Sequence, residues 1–246
     1  MKGIYDMYIL AIETTGPHCS AAVINEKGKV LSIRSEERLT HLKLLTPKIQ
    51  QLLKENKIEM KEIDAVAASP GPGSFTGIRI GVSTARALGQ VLNIPCIAVE
   101  TLYAFSQSPK EDDETVVCPI LDARRNQVYA CAALLEEEVV KAGPYMLDEF
   151  LVMVDEYAKS AGKSKMHFIG DGVKAYGQQV KEWADEKGYE LIMEEIYQYA
   201  DSVAQIALKK YERNETVTFE KLEPEYMRKA EAQRKLEERL KAENNG

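Results

Sequence analysis

Residues 67–88 read AASPGPGSFTGIRIGVSTARAL. The stretch opens on the end of a short strand, residues 64–68, and enters a loop, residues 69–77, rich in glycine and proline. Beyond the loop, small residues at helical spacing continue to about Leu92, and Ser74 stands where it can cap the first turn. The loop lacks the Gly-Lys-Ser/Thr ending of a P-loop, and Pro70 and Pro72 remove two backbone donors. It reads as a rigid strand-to-helix turn rather than a phosphate cradle. Strand, turn and helix in this order point to an α/β protein.

Upstream, residues 7–13 form a buried strand. A turn with Gly16 and Pro17 leads to a second strand, residues 19–24, and residues 25–29 turn into a third over 30–34. A helix follows, with Leu42, Leu45, Ile49, Leu52 and Leu53 in one apolar stripe about 100° wide. Pro47 falls in its first turn or two, or else Thr46-Pro47 is its true start. Downstream, a strand at 97–99 precedes a helix from Thr101. The polar stretch 106–114 marks a lobe boundary. The second lobe then repeats the opening of the first, with strands at 116–122, 126–135 and 139–140. A strand at 166–169, the loop Gly170-Asp171-Gly172 and helices over 173–187 and 201–213 complete it. The predicted divisions are a first lobe, 1–107, a second lobe, 108–222, and a charged tail, 223–246. Two lobes with one opening pattern and no shared sequence suggest a structurally duplicated unit. Residues 224–241 read as a charged helix with Glu231/Lys235 and Glu237/Lys241 four apart.

The chain has 246 residues, 45% of them hydrophobic, and a net charge of −7. That balance argues against a protein that grips nucleic acid by itself, because phosphate affinity comes from clustered cations. Any RNA contact is expected to be shared with a partner. No apolar run approaches the ~20 residues of a membrane helix, and the N-terminal residues lack a signal-cleavage pattern, so a cytoplasmic protein is expected. Cys19, Cys96, Cys118 and Cys131 show no metal-knuckle or redox spacing and are expected to be buried free thiols.

Three segments, 9–24 (ILAIETTGPHCSAAVI), 67–88 with its continuation IPCIAVETLYA, and 121–130 (LDARRNQVYA), together resemble the TsaB family. Gly170-Asp171-Gly172 and residues 224–228 (PEYMR) extend the resemblance over nearly the whole chain. It implies the actin-like fold of sugar kinases, Hsp70 and actin, with two related α/β lobes. It also implies a role beside TsaD, TsaE and TsaC in threonylcarbamoylation of the adenosine next to the anticodon of transfer RNA. TsaD performs the transfer in that system, and TsaB is its paralogous partner. Transfer RNA would be reached only through the complex, and the isolated chain would pair with itself as a homodimer.

In active members of the fold, a first hairpin of Asp-x-Gly-Thr type wraps a nucleotide phosphate. Here the segment is Glu13-Thr14-Thr15-Gly16, with a longer acid and a displaced glycine. Capping and turn formation explain the hydroxyls equally well. The second phosphate hairpin of such proteins carries glycines, and Asp122-Ala123-Arg124-Arg125 puts a side chain at each position. Glu13, Thr14, Thr15, Arg124, Arg125, Gly170 and Gly172 are therefore the candidates for cofactor contact. TsaD-like proteins hold a metal with a His-x-x-x-His pair, and the matching positions are Thr101 and Phe105, neither of which replaces an imidazole. His18, His41 and His167 are far apart in sequence, and His41 reads as a capping or interface residue. No catalytic or metal-binding residue is expected, and ATP and metal are assigned to the partner complex. A kinase or ATPase of the same fold is the alternative. No Ser-His-Asp elbow or His-Glu-x-x-His signature supports a peptidase.

The expected docking surface lies on the helices over 42–56 and 74–92. On the second, Ile78, Val82, Ala85 and Leu92 should face the chain's own sheet. Phe75, Arg79, Ser83, Arg86 and Gln90 share a neighbouring face within about 80° of arc. Arginine and aromatic residues among small side chains suit close helix–helix docking. Leu44, off the apolar stripe of the first helix, joins this surface. The resemblance implies that the corresponding helices of the two paralogues pack as a four-helix bundle.

Overall fold

The structure, a computed structural model, describes residues 7–109 and 112–227. The apolar run ILAIE becomes β1 (Tyr8–Glu13), which pairs antiparallel with β2 (Ser20–Asn25), itself antiparallel to β3 (Val30–Arg34). Then come α1 (His41–Glu55), β4 (Ile63–Ala68), α2 (Phe75–Leu92), β5 (Cys96–Ala98) and α3 (Thr101–Ser106). The sheet order is β3-β2-β1-β4-β5, with β1, β4 and β5 parallel. The second lobe holds β6 (Thr115–Asp122), β7 (Gln127–Leu134), β8 (Glu137–Met146), α4 (Leu147–Ala161), β9 (Lys165–Ile169), α5 (Gly172–Lys187) and β10 (Glu190–Glu194). Its sheet runs β10-β9-β6-β7-β8, which from the other end repeats the order of the first. The lobes are thus one topology used twice, the actin-like arrangement.

Helices cover both faces of the first sheet, so residues 9–12 of β1 and 65–68 of β4 are apolar on both sides. On one face Leu45, Ile49 and Leu52 of α1 meet Ile78 and Val82 of α2 over Leu10 and Val66. On the other, α6 (Ala200–Glu212) packs Val203 and Ala207 against Ile9, Ala11 and Ile24. In the second lobe Phe150 of α4 and Val180 of α5 enclose Phe168. Each such large apolar side chain contributes about 1.5–3 kcal/mol by leaving water.

Several expectations change. Leu42, assigned to the buried stripe, is 83% exposed, and His41 takes the first core position. The first turn of α1 docks on the β1–β2 turn, where His41 Nε2 bonds Gly16 O at 2.9 Å, so the sheet-facing period starts only at Leu45. Leu44 is partly buried against the first-lobe core, and its own packing accounts for it. β8 is far longer than residues 139–140. α4 and β10 lie outside the expectations, although Leu147, Phe150, Leu151, Val154 and Ala158 carry a helical stripe. α6 follows the second lobe in the chain yet packs on the first sheet. Residues 224–227 are not helical, and the rest of the charged helix expected over 224–241 lies outside the described residues. No helix among the described residues is long and apolar enough to cross a membrane.

Candidate functional site

A cleft of about 360 Å³ opens between the lobes, at the carboxyl ends of β1 and β6. Thr15, Gly16, Gly73, Ser74 and Thr101 line it from the first lobe. Asp122, Arg124 and Asp171 line it from the second, joined by Tyr197 and Gln198. The topology therefore brings both candidate hairpins and Thr101 to one place.

The hydroxyls of the first hairpin are turned inward. Thr15 donates to Glu13 Oε1 from its backbone nitrogen at 2.5 Å and from its hydroxyl at 2.6 Å. Thr14 Oγ1 donates to Gly77 O at 2.8 Å, and Thr15 O accepts from Ser74 N at 2.8 Å. Glu13, Thr14 and Thr15 are all buried. A side chain at Gly73 would fall 2.6 Å from Thr15, and one at Gly77 or Gly81 would collide with Thr14. The glycines of the loop and of α2 thus bring the helix against the turn itself, and Ser74 caps α2 by accepting from Gly77 N at 3.3 Å. Burial pushes the Glu13 carboxyl above its ordinary range, against the lowering effect of the Ser69 and Thr15 hydroxyls. Ser69 lies near Glu13 without completing a hydrogen bond, and Glu13 Oε2 has no partner among the described residues.

The second hairpin turns through Arg124, Arg125 and Asn126, three successive residues at φ 63°, 56° and 59°. This is the left-handed conformation that glycine adopts without steric cost and other residues only against it. Asp122 Oδ1 holds the turn by accepting from Arg124 N at 2.7 Å and Tyr176 Oη at 2.8 Å. Both arginine side chains are exposed. Asp171 Oδ1 accepts from Asp122 N at 3.0 Å, tying the Gly170–Gly172 loop to the same turn. Burial, with the charges of Asp122 and Glu195, raises the Asp171 carboxyl above its usual range. Gly170 and Gly172 have a packing reason: a Cβ at Gly170 would strike Ile120 O, and one at Gly172 would lie 2.8 Å from it.

At the positions that match the metal pair, Thr101 and Phe105 are fully buried. Phe105 packs with Val117 and Ile169 in an apolar contact between the lobes. No three His, Cys, Asp or Glu side chains among the described residues are grouped to hold a metal ion. The residues present do not fit a metal–nucleotide pair of the kind the fold family holds, because the hairpin hydroxyls face inward and the imidazole positions carry Thr and Phe. His18 and His41 flank one turn, with His18 Nδ1 at 3.1 Å from Ser35 O, while His167 sits on β9 at 2.8 Å from Glu194. Burial lowers the affinity of His41 for its second proton, and its link to Gly16 makes it a brace for the hairpin rather than a cap. The four cysteines are buried and free, with the Cys96 thiol pushed up to about 11 by burial.

On α2, Arg79, Ser83 and Gln90 are exposed, and Phe75 and Arg86 are partly covered. The cover comes from the C-terminal segment, which sequence reasoning did not place there. Val217 bridges to Cys96, Leu222 is fully buried in the first core, and Tyr226 lies on Phe75 with ring centroids 4.6 Å apart. Arg86 lies within electrostatic reach of Glu220. The large apolar side chains Leu42 and Val91, 83% and 81% exposed, stand on the two helices without cover.

A family model described as TsaD: tRNA N6-adenosine threonylcarbamoyltransferase matches residues 35–244. The chain is 32% identical to the tRNA threonylcarbamoyladenosine biosynthesis protein TsaB of Buchnera aphidicola subsp. Schizaphis graminum, over 68% of this chain and 79% of that protein. It is 28% identical to the protein of the same name from Bacillus subtilis, over 93% and 97%. The structure of YeaZ from Pseudomonas aeruginosa has the same fold, with a TM-score of 0.70, 23% identity, and coverage of 89% of this chain and 99% of that one. The chain therefore belongs to the family that this model describes and, within it, to the TsaB proteins.

Proposed function

We propose that the chain acts in threonylcarbamoyladenosine formation on transfer RNA as a non-catalytic partner of a TsaD-type paralogue. The names of its relatives support the pathway, and the family model supports kinship with the transferase. One observation carries the non-catalytic role. The first hairpin closes its hydroxyls on Glu13 and Gly77, while Thr101 and Phe105 stand where metal-binding imidazoles would be needed. In this reading the chain binds neither ATP nor metal by itself, and both belong to the partner complex. The α1–α2 face, with Leu42 and Val91 bare, docks the paralogue and pairs two copies of the chain when the paralogue is absent. TsaE joins the complex as its ATPase, transfer RNA is met only through the assembly, and all of this takes place in the cytoplasm. The net charge of −7 supports that division of labour, since phosphate contacts need cations supplied from elsewhere.

The experiment is reconstitution of the modification from purified components with and without this chain. Loss of product without it, and no transfer by the chain alone, is the expected result. Calorimetry on the isolated chain separates the alternative, because tight metal-dependent nucleotide binding would make it a kinase or ATPase of the same fold.

A further inference from the structure

We infer that Arg79 is a pre-oriented receptor for a carboxylate on the docking chain, held in place by Tyr226 from the C-terminal segment. This rests on the docking role proposed above and names the chemistry of the contact. The Arg79 guanidinium stacks 3.9 Å above the Phe75 ring and 5.7 Å from the Tyr226 ring. Its Nε donates to Tyr226 Oη at 2.8 Å. A long side chain that would otherwise sample many rotamers is thereby held by the face of Phe75 and the hydroxyl of Tyr226, whose ring itself lies against Phe75. No carboxylate pairs with it among the described residues. With Nε engaged, the two terminal nitrogens remain as a planar fork, the geometry that takes a carboxylate through two parallel hydrogen bonds.

Tyr226 is seated by its own segment. Glu225 N donates to Pro70 O at 2.9 Å, and Leu222 is fully buried in the first-lobe core. The aromatic support is therefore part of the folded lobe before any partner arrives, and it lowers the entropic cost of ordering Arg79 at docking. Arg79 lies one turn from exposed Ser83 on a helix of small residues, so a facing helix can approach closely enough to bring Asp or Glu to the fork.

The test measures affinity for the purified paralogue with the full-length chain. Arg79→Lys keeps the charge and loses the fork, and an affinity at least about tenfold weaker is expected, with an unchanged melting temperature. Tyr226→Phe keeps the ring and loses the hydroxyl, and a smaller, several-fold loss is expected. Wild-type affinity should fall with added salt more steeply than that of Arg79→Gln, which carries no charge there. Arg79→Glu should be restored by Asp→Arg or Glu→Arg at one position of the paralogue's docking helices. Arg79→Lys binding within about twofold of wild type overturns the inference while leaving the docking role intact. A wild-type chain that does not bind the paralogue at all instead defeats the functional reading.

Discussion

Glu13 and Thr15 close the first hairpin on itself, with one carboxylate oxygen accepting from both the amide and the hydroxyl of the same threonine. In a turn that cradles a phosphate, those donors would face the ligand. Here they face a carboxyl that is fully buried and raised above its ordinary value of 4.5. Glu13, the acid of this candidate hairpin, thus serves as an internal acceptor of its own turn.

The raised carboxyl sets a pH dependence. Folded chain takes up this proton more readily than unfolded chain, so the stability linked to it is fully present at acid pH. It is lost as pH rises from the ordinary value through the raised one. Glu13→Gln removes that titration. Urea denaturation from about pH 4 to about pH 7 should show the variant gaining on wild type as pH rises, then levelling off. A flat or falling difference would show that Glu13 is not raised.

Gly81 has no room for a methyl group because Thr14 Oγ1 occupies the space. Gly81→Ala should cost about 1–3 kcal/mol by overpacking. In a Thr14→Ala background the same change should cost clearly less, since the obstructing oxygen is gone. Denaturant unfolding of the four proteins of the cycle measures the coupling, and strict additivity would contradict the contact.

Phe105 packs between the lobes against Val117 and Ile169. Phe105→Ala should destabilise by about 3–5 kcal/mol, as a large buried aromatic does. Calorimetric unfolding would read it, and a change under about 1 kcal/mol would mean the lobes hold together without this contact.

Leu42 and Val91 lie bare on α1 and α2, the helices of the proposed docking surface. Leu42→Glu with Val91→Glu should leave stability within about 0.5 kcal/mol, because both side chains are already in water. Paralogue binding and self-association, followed by ultracentrifugation, should both weaken strongly. Retention of both at wild-type affinity would remove the shared surface. Arg86 is a poorer probe, since reversing its charge also disturbs the segment around Glu220.

Arg124 and Arg125 project from a turn whose backbone is fixed by Asp122. Arg124→Ala with Arg125→Ala should slow the reconstituted modification several-fold without lowering the melting temperature, because neither side chain packs against the lobe. An unchanged rate would return both residues to the solvated surface.

The order of strands and helices apart from α4 and β10, the doubled lobe and the strand-to-helix turn at Ser74 are legible in the chain itself. They rest on short-range period and turn chemistry, which act between residues a few positions apart. The stripe of α4 was equally present in Leu147, Phe150, Leu151, Val154 and Ala158. The match of Thr101 and Phe105 to the metal-binding positions of TsaD-like proteins is an expectation that rests on the resemblance alone. Local period misled at Leu42, because the first turn of α1 docks on Gly16 rather than on the sheet. What decided the site acts across long separations. Tyr226 meets Arg79 from 147 residues away, Asp171 meets Asp122 from 49, and α6 leaves the second lobe to cover the first sheet. No local pattern records those pairings, because hydrogen bonds and burial between distant segments exist only once the two sheets have brought their ends together.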